Sequence, residues 1–360
     1  MKKHQRIPGF DLARAYAIFG MYIVNFNIVF GDYQDPSLAA RALSLFSGNS
    51  STAFVLLAGM GVSLLAWRPE ADAAERGELR RVISRRSWFL FALGMLLYLW
   101  WPADILHFYG GYMHLAVLLL FVPERWLLLA AAGSVALFHA LLLVVPYETG
   151  WDFEQLRYTD FWTVAGFLRN TLYNGWNPIF PWSALFFFGM WLGRKPWANQ
   201  ALRRRAAWWA GGVFLALQVL MQLAQRGAFH PGLNFYLTAD YLPPFLPFLA
   251  SGASAAVLLM LVALWLGERF AEQKWVAALV ATGQMTLTHY VAHLTLGMVL
   301  FDLVSGQTGG FFPKIGGAAS PLAVLAFSAA WFAGSVLFSF FWKKRFKNGP
   351  LEMLMRWAAG

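Results

Sequence analysis

The 360-residue chain contains no cysteine. A disulfide-stapled fold, thiol catalysis, iron–sulfur clusters and cysteine-based zinc sites are therefore excluded. Charge is scarce too: Asp, Glu, Lys and Arg make up 13% of the residues, against about 25% in an ordinary soluble domain. Eighteen acids and 28 bases cannot clothe a globule of this size, so most of its surface must meet lipid. No linker, low-complexity tract or soluble domain interrupts the chain. No clear internal repeat is present either, which leaves inverted-repeat transporter architecture without direct support. What is abundant is apolar: 59% of the residues are hydrophobic and 18% aromatic. That much apolar surface excludes disorder.

A membrane helix needs about 20 apolar residues. Ten such stretches occur, near 12–31, 43–67, 88–101, 109–122, 126–146, 177–193, 206–224, 244–266, 276–304 and 321–342. They predict an all-α, polytopic membrane helix bundle, with residues 1–360 forming one transmembrane domain. The third and fourth stretches are short and flank a polar connection at 102–109, where tilt or re-entry is expected. With a cytoplasmic N-terminus, the inner segments hold 23 of the 28 Lys and Arg and carry about +14, and the outer loops about −4. This positive-inside asymmetry predicts an even number of spans with both termini cytoplasmic. The formal charge of +10 is thereby explained by topology, and no nucleic-acid partner is expected. A cleaved leader over residues 1–42 is the weaker reading, because Asp11 and Arg14 interrupt its apolar run. The outer stretch 147–176 mixes Glu148, Asp152, Glu154 and Asp160 with Trp151, Phe153, Phe161 and Trp162. That mixture predicts an amphipathic helix lying on the outer membrane surface.

Polar groups inside a membrane cost several kcal/mol unless paired or facing a cavity, so they point to function. In the first span Asp11, Arg14, Tyr22 and Asn25 share one stripe. Asp11 and Arg14 stand three apart and can pair. Either they form a helix-end ion pair, or Arg14 receives a phosphate while Asn25 donates a hydrogen bond deeper in. In the ninth span Thr282, Thr286, His289 and His293 follow the 4, 3, 4 spacing of one helix face. Interhelical hydrogen bonding is one reading of the two histidines; catalysis or transport is the other. Their spacing permits a metal, but no third ligand is evident, and no metal is expected. Asp104 and His107 stand three apart at the outer face. The carboxylate either orients the imidazole as a general base or caps the next helix. The sixth span opens Asn174-Gly-Trp-Asn177-Pro178-Ile-Phe-Pro181-Trp182, which implies broken helix. The second opens around Asn49, and the eighth is approached through Asp240, Pro243, Pro244 and Pro247. Irregular backbone at membrane depth must be buried or line a cavity. Together these segments predict a cavity open to the outer side that reaches the ninth-span histidines.

Several motifs occur in order between residues 6 and 352. They are Arg6-Ile7 with Phe10-Asp11-Leu-Ala-Arg14 and Val24-Asn25; Asp104-Ile-Leu-His107 with Tyr109-Gly110; and Asn174-Gly-Trp-Asn-Pro-Ile-Phe-Pro181-Trp182 with Gly193-Arg194. Gly283-Gln-Met-Thr-Leu-Thr-His289-Tyr290 and Gly349-Pro-Leu-Glu352 follow. Their combination resembles the transmembrane acyltransferase superfamily, in particular heparan-alpha-glucosaminide N-acetyltransferase-like and YeiB-like bacterial membrane proteins.

The resemblance implies a multi-pass protein of the bacterial inner membrane that moves an acetyl group from cytoplasmic acetyl-CoA to an amine or hydroxyl of an extracytoplasmic sugar. Under it, acyl-CoA is the co-substrate and no metal is needed. The partners expected are the bilayer, acyl-CoA and a small-molecule or glycan acceptor; a homodimer is compatible. His289 or His293 serves as base, Asn25 as oxyanion donor, and Asp104 and His107 stand on the acceptor side. Arg14 receives the CoA phosphates with Asp11 beside it in the same site, and Arg80 and Arg81 either assist or only set topology. Asn174, Asn177, Trp182, Asn49 and Tyr290 are the expected acceptor contacts. One departure matters. The sugar acetyltransferases of this group place a catalytic histidine between the first two spans, whereas here no histidine lies between His4 and His107. A base must come from elsewhere. The alternative function is a proton-coupled transporter or exporter using His289, His293 and Asp11. A b-type haem held by His114, His139, His289 or His293 is a third reading.

Overall fold

The computed structural model describes residues 7–238, 241–305 and 316–360. Arg6 and Asp240, which figure in the sequence argument, lie outside these ranges, as does His4. Of the described residues, 74% are helical. In chain order come α1 (Pro8–Phe30), α2 (Leu38–Ser44), α3 (Asn49–Ala66), α4 (Ala73–Tyr98), α5 (Leu106–Leu119) and α6 (Glu124–Leu142). A small antiparallel pair follows, β1 (Trp151–Asp152) with β2 (Arg157–Tyr158). Then come α7 (Val164–Arg169), a π-helical turn at Asn170–Asn174, α8 (Ile179–Leu192), α9 (Gln200–Gln225), α10 (Pro231–Thr238) and α11 (Leu246–Arg269). The chain ends with α12 (Lys274–Gly283), α13 (Thr286–Ala292), a second π-helical turn at His293–Gly297, α14 (Met298–Ser305), α15 (Pro321–Trp342) and α16 (Pro350–Ala359).

Among the described residues, seven helical segments are long and apolar enough to cross a membrane. They are Pro8–Phe30, Leu38–Ala66, Glu124–Leu142, Gln200–Gln225, Leu246–Arg269, Thr286–Ser305 and Pro321–Trp342. The other three stretches read from the sequence are helical but differ for identifiable reasons. α4 starts in a charged half that includes Arg80 and Arg81. α5 and α8 have 14 residues each, about 21 Å of helix against a hydrocarbon core of about 30 Å. α9 exposes most of its apolar surface, including Trp208 and Trp209, as a helix bathed in lipid would.

Two expectations are corrected. The outer stretch 147–176 is not an amphipathic helix. Gly150 and Leu156 adopt positive φ (87° and 48°), which turns the chain into the β1–β2 hairpin before the short α7. The ninth span is not one continuous helix either. It stops at Gly283 and restarts at Thr286, with Met285 at φ −118° and ψ 30°.

The chain divides into two compact units. The first comprises Met1–Phe54 and Ala256–Met355. Its centre is α1, started by Pro8 in the first turn and packed against α12, α13 and α15. Gly283 sits against the backbone carbonyl of Asp11, where any Cβ would collide, so α1 and α12 approach at backbone distance. The second unit comprises Val55–Ala255 and Arg356–Gly360. There α4 lies along α5 and α6 along α8. Helix α8 starts irregularly, with Phe180 in an extended conformation between its two prolines, as the sequence implies.

Candidate functional site

In the first unit, α1, α13 and α15 bring His289, His293, Asn25, Tyr22, Ser335 and Ser339 together. His293 is fully buried and lies against Tyr22, Tyr290 and Phe26, with ring centroids 4.9, 5.2 and 6.0 Å away. Its Nδ1 is 3.3 Å from the His289 carbonyl oxygen, which can only accept. The proton therefore sits on Nδ1, and the Nε2 lone pair faces the Asn25 amide nitrogen at 3.3 Å. Asn25 gives its other amide proton to the Met21 carbonyl at 3.0 Å.

The hydroxyl chemistry fixes His289 in the same way. Ser339 donates its one hydroxyl proton to the Ser335 carbonyl at 2.8 Å. The His289 Nε2, 2.6 Å from Ser339 Oγ, must then be the donor, which leaves the Nδ1 lone pair as the basic position. Ser335 donates to the Trp331 carbonyl and receives the Tyr22 hydroxyl at 3.1 Å. Each imidazole thus has one nitrogen held by a hydrogen bond it donates and one lone pair set by that tautomer.

One end of the same unit carries an ionic cluster. The buried carboxylate of Asp11 accepts from Arg14 Nη1 at 3.0 Å and from Gln284 Nε2 at 3.0 Å. Lys343 donates to the Gln284 amide oxygen at 2.6 Å. The Arg14 side chain keeps 24% of its exposure, so it can still meet an anion. Gln284 occupies the break between α12 and α13, where its amide ties Asp11 to Lys343. Thr282 and Thr286 do not share a helix with each other, and the Thr282 hydroxyl is spent on the Ala278 carbonyl. Tyr290 is buried and stacks on Phe54. Asn49 donates to the Leu45 carbonyl at 2.9 Å, at the start of α3.

Glu352 reaches α13 from α16. Its carboxylate accepts the backbone N–H groups of Leu287 and Thr288 and the Thr288 hydroxyl. Burial lifts its carboxyl above the ordinary glutamate value, while those donors pull the other way.

In the second unit, Asp104 and His107 are both fully buried. The Asp104 carboxylate accepts the Leu106 N–H at 2.8 Å and stands 3.6 Å from His107 Nδ1. Its shorter contact is to the helix start, so capping is its first use. The His107 ring packs between Tyr98, Phe108 and Phe161. The Asn174 amide is fully committed: Nδ2 donates to the carbonyls of Tyr147 and Thr149, and Oδ1 accepts the Tyr158 hydroxyl. It ties the β1–β2 hairpin to the π-helical turn. The Asn177 carbonyl accepts the Tyr112 hydroxyl, and Trp182 is buried against Phe248. Arg81 pairs with Glu78 on an exposed helix face, and Arg80 lies over the Phe121 ring. His114 bonds Ser87 and His139 bonds Tyr236.

Sequence reasoning missed Ser335, Ser339, Lys343 and Asn170, and named Gln284 and Glu352 only within motifs, without a role. Asn170 is buried at the first position of the π-helical turn, and among the described residues neither of its amide atoms has a hydrogen-bond partner. A signal existed for Ser335 and Ser339, which share one face with Ser328 in a helix whose other residues are apolar or aromatic. Both π-helical turns carry singled-out residues, Asn174 and His293; such turns are rare and frequent at functional sites.

Two protein families match this chain. One, described as heparan-alpha-glucosaminide N-acetyltransferase, catalytic, matches residues 6–227. The other, described as a protein of unknown function (DUF418), matches residues 190–360. No individual curated protein matches. The first match covers α1 and Asn25, and the second covers the histidine pair.

Proposed function

Because the chain belongs to the heparan-alpha-glucosaminide N-acetyltransferase catalytic family, we propose that it is an integral-membrane acyltransferase. It takes an acyl group, in the simplest case acetyl, from cytoplasmic acyl-CoA. It delivers that group to an amine or hydroxyl of an extracytoplasmic sugar or similar acceptor. In this reading the ten apolar stretches all serve the bundle, both termini are cytoplasmic, and the membrane is the bacterial inner membrane.

The observation that supports the reading best is the contact between His293 Nε2 and the Asn25 amide. In it an imidazole lone pair stands beside a hydrogen-bond donor, among aromatic side chains. The acceptor nitrogen or oxygen attacks the thioester carbonyl, and the imidazole takes the proton it loses. The Asn25 N–H turns to the carbonyl oxygen as negative charge develops there. The tetrahedral adduct then expels CoA thiolate, and the imidazolium returns its proton to the sulfur. General-base help of this kind contributes about 10²–10⁴-fold. A hydrogen-bond donor aimed at the oxyanion in a dry site contributes about 10²–10³-fold. Asp11, Gln284 and Lys343 hold Arg14 at the donor side, where its remaining exposure suits a CoA phosphate.

Proteoliposomes test this directly. With radiolabelled acetyl-CoA on the cytoplasmic face and an amino sugar on the other, label should appear on the sugar and free thiol should accumulate in equal amount. Uptake or export of the sugar without acetylation would favour the transport reading instead.

A further inference from the structure

The helix that carries His289, and leads into the turn that carries His293, starts anew after a break. α12 stops at Gly283, and α13 starts at Thr286. A new helix start leaves N–H groups with no carbonyl one turn behind them. The His289 N–H finds the Met285 carbonyl at 3.0 Å. The Leu287 and Thr288 N–H groups both donate to one oxygen of Glu352, at 2.8 and 3.2 Å. The other oxygen accepts the Thr288 hydroxyl at 2.6 Å. That hydroxyl oxygen in turn accepts the Leu351 N–H at 3.0 Å, in the first turn of α16.

The two helices therefore cap each other. A carboxylate from α16 closes α13, and a hydroxyl from α13 closes α16. Negative charge at a helix N-terminus is favoured by the helix dipole as well as by the bonds themselves. Gly349 makes the approach feasible, since a Cβ there would run into the Glu352 carboxylate and the Thr288 hydroxyl. The upstream side of the break is held independently, by Asp11 and Lys343 on Gln284. His289 directly follows Thr288, and its 2.6 Å contact with Ser339 has little slack. A displacement of α13 by about 1 Å would carry that contact to the limit of hydrogen bonding.

We propose that Glu352 is a positioning residue for the histidine pair: by capping the N-terminus of α13 from the C-terminal helix, it fixes the placement of His289 and His293. The proposal rests on the acyl-transfer reading for its catalytic consequence, but not for its structural one. Glu352 touches neither histidine ring and acts through the helix that bears them.

The test uses full-length protein in nanodiscs and the variants Glu352→Ala, Glu352→Gln and Thr288→Val, with Met353→Ala as an exposed control on α16. Amide exchange is followed by mass spectrometry over Thr286–Ala292 and, for comparison, Lys274–Gly283. Losing a helix cap of this kind should raise exchange in the first segment by about tenfold. The second segment should not change. Glu352→Gln keeps one accepting oxygen and should fall between wild type and Glu352→Ala. Turnover of acetyl-CoA should fall in the same order, with its KM unchanged.

Wild-type exchange over Thr286–Ala292 in Glu352→Ala would overturn the proposal. So would raised exchange with undiminished turnover, which would leave Glu352 with no part in placing the histidines. If Glu352→Ala does not fold, Thr288→Val and Glu352→Gln carry the same comparison. A wild-type protein that never transfers acetyl would defeat the acyl-transfer reading, while the exchange arm would still decide on the cap.

Discussion

The Nε2 of His293, on the π-helical turn after α13, lies 3.3 Å from the side-chain nitrogen of Asn25 on α1. The Nδ1 of the same ring is held by the His289 carbonyl. One residue is thus set as acceptor and the other as donor before any ligand arrives. Asn25→Ala should lower turnover by about 10²–10³-fold, the usual effect of losing one oxyanion donor. Asn25→Asp should be no better, because a carboxylate cannot donate. Steady-state kinetics with both substrates checks this, and unchanged turnover would remove Asn25 from the reaction.

Ser339 should matter through His289. In Ser339→Ala the Nε2 proton of His289 loses its acceptor inside the bundle. A buried donor left unsatisfied costs about 1–3 kcal/mol. The melting midpoint should drop, and turnover should drop with it because the tautomer is no longer held. Ser339→Thr, which keeps the hydroxyl, should recover most of both.

Asp11 serves two partners, Arg14 and Gln284. Arg14→Ala should destabilise the protein more than Asp11→Ala does, since it strands the buried Asp11 carboxylate, whereas Asp11→Ala leaves a cation that is 24% exposed. Breaking a buried pair in that way costs about 3–5 kcal/mol. Arg14→Ala should also raise the KM for acyl-CoA and leave the acceptor KM alone. Equal destabilisation by the two substitutions, measured in urea, would contradict this division.

Glu352 gives a pH dependence with a definite sign. Burial raises its folded-state value above the ordinary 4.5. Its linked contribution to stability is then complete below that ordinary value and is lost as pH rises through the raised one. The melting midpoint of wild type minus that of Glu352→Gln should accordingly fall as pH is raised across this window. A difference that grew with pH would mean that the donors from Leu287 and Thr288 outweigh burial.

The polar stripe of α1 and the histidine face were legible because helical periodicity projects them without any tertiary knowledge. Asp11 does pair with Arg14, and Asn25 does share a face with Tyr22. The break at Gln284 was not legible. No proline marks it; it arises where Gly283 meets the Asp11 backbone and Gln284 is held from two sides. Ser335 and Ser339 were hidden for another reason. Each spends its proton on its own helix, as serines in apolar helices do, and only the fold reveals what their oxygens accept. Glu352 lies more than 60 residues from the backbone it caps, beyond the reach of any local pattern. The hairpin at 151–158 was misread as helix because its mixture of acids and aromatics resembles an amphipathic surface. Its turns depend on two positive φ values that composition does not reveal.

If Arg14 and the histidine cluster serve an acyl-CoA, acetyl-CoA must bind the purified protein, and calorimetry measures that binding. Free CoA and ATP are the controls, and Arg14→Ala is the partner measurement. Acyl transfer requires saturable binding of acetyl-CoA that weakens in Arg14→Ala. No binding at millimolar ligand, in a monodisperse and folded sample, would contradict it and recast His289 and His293 as a proton path.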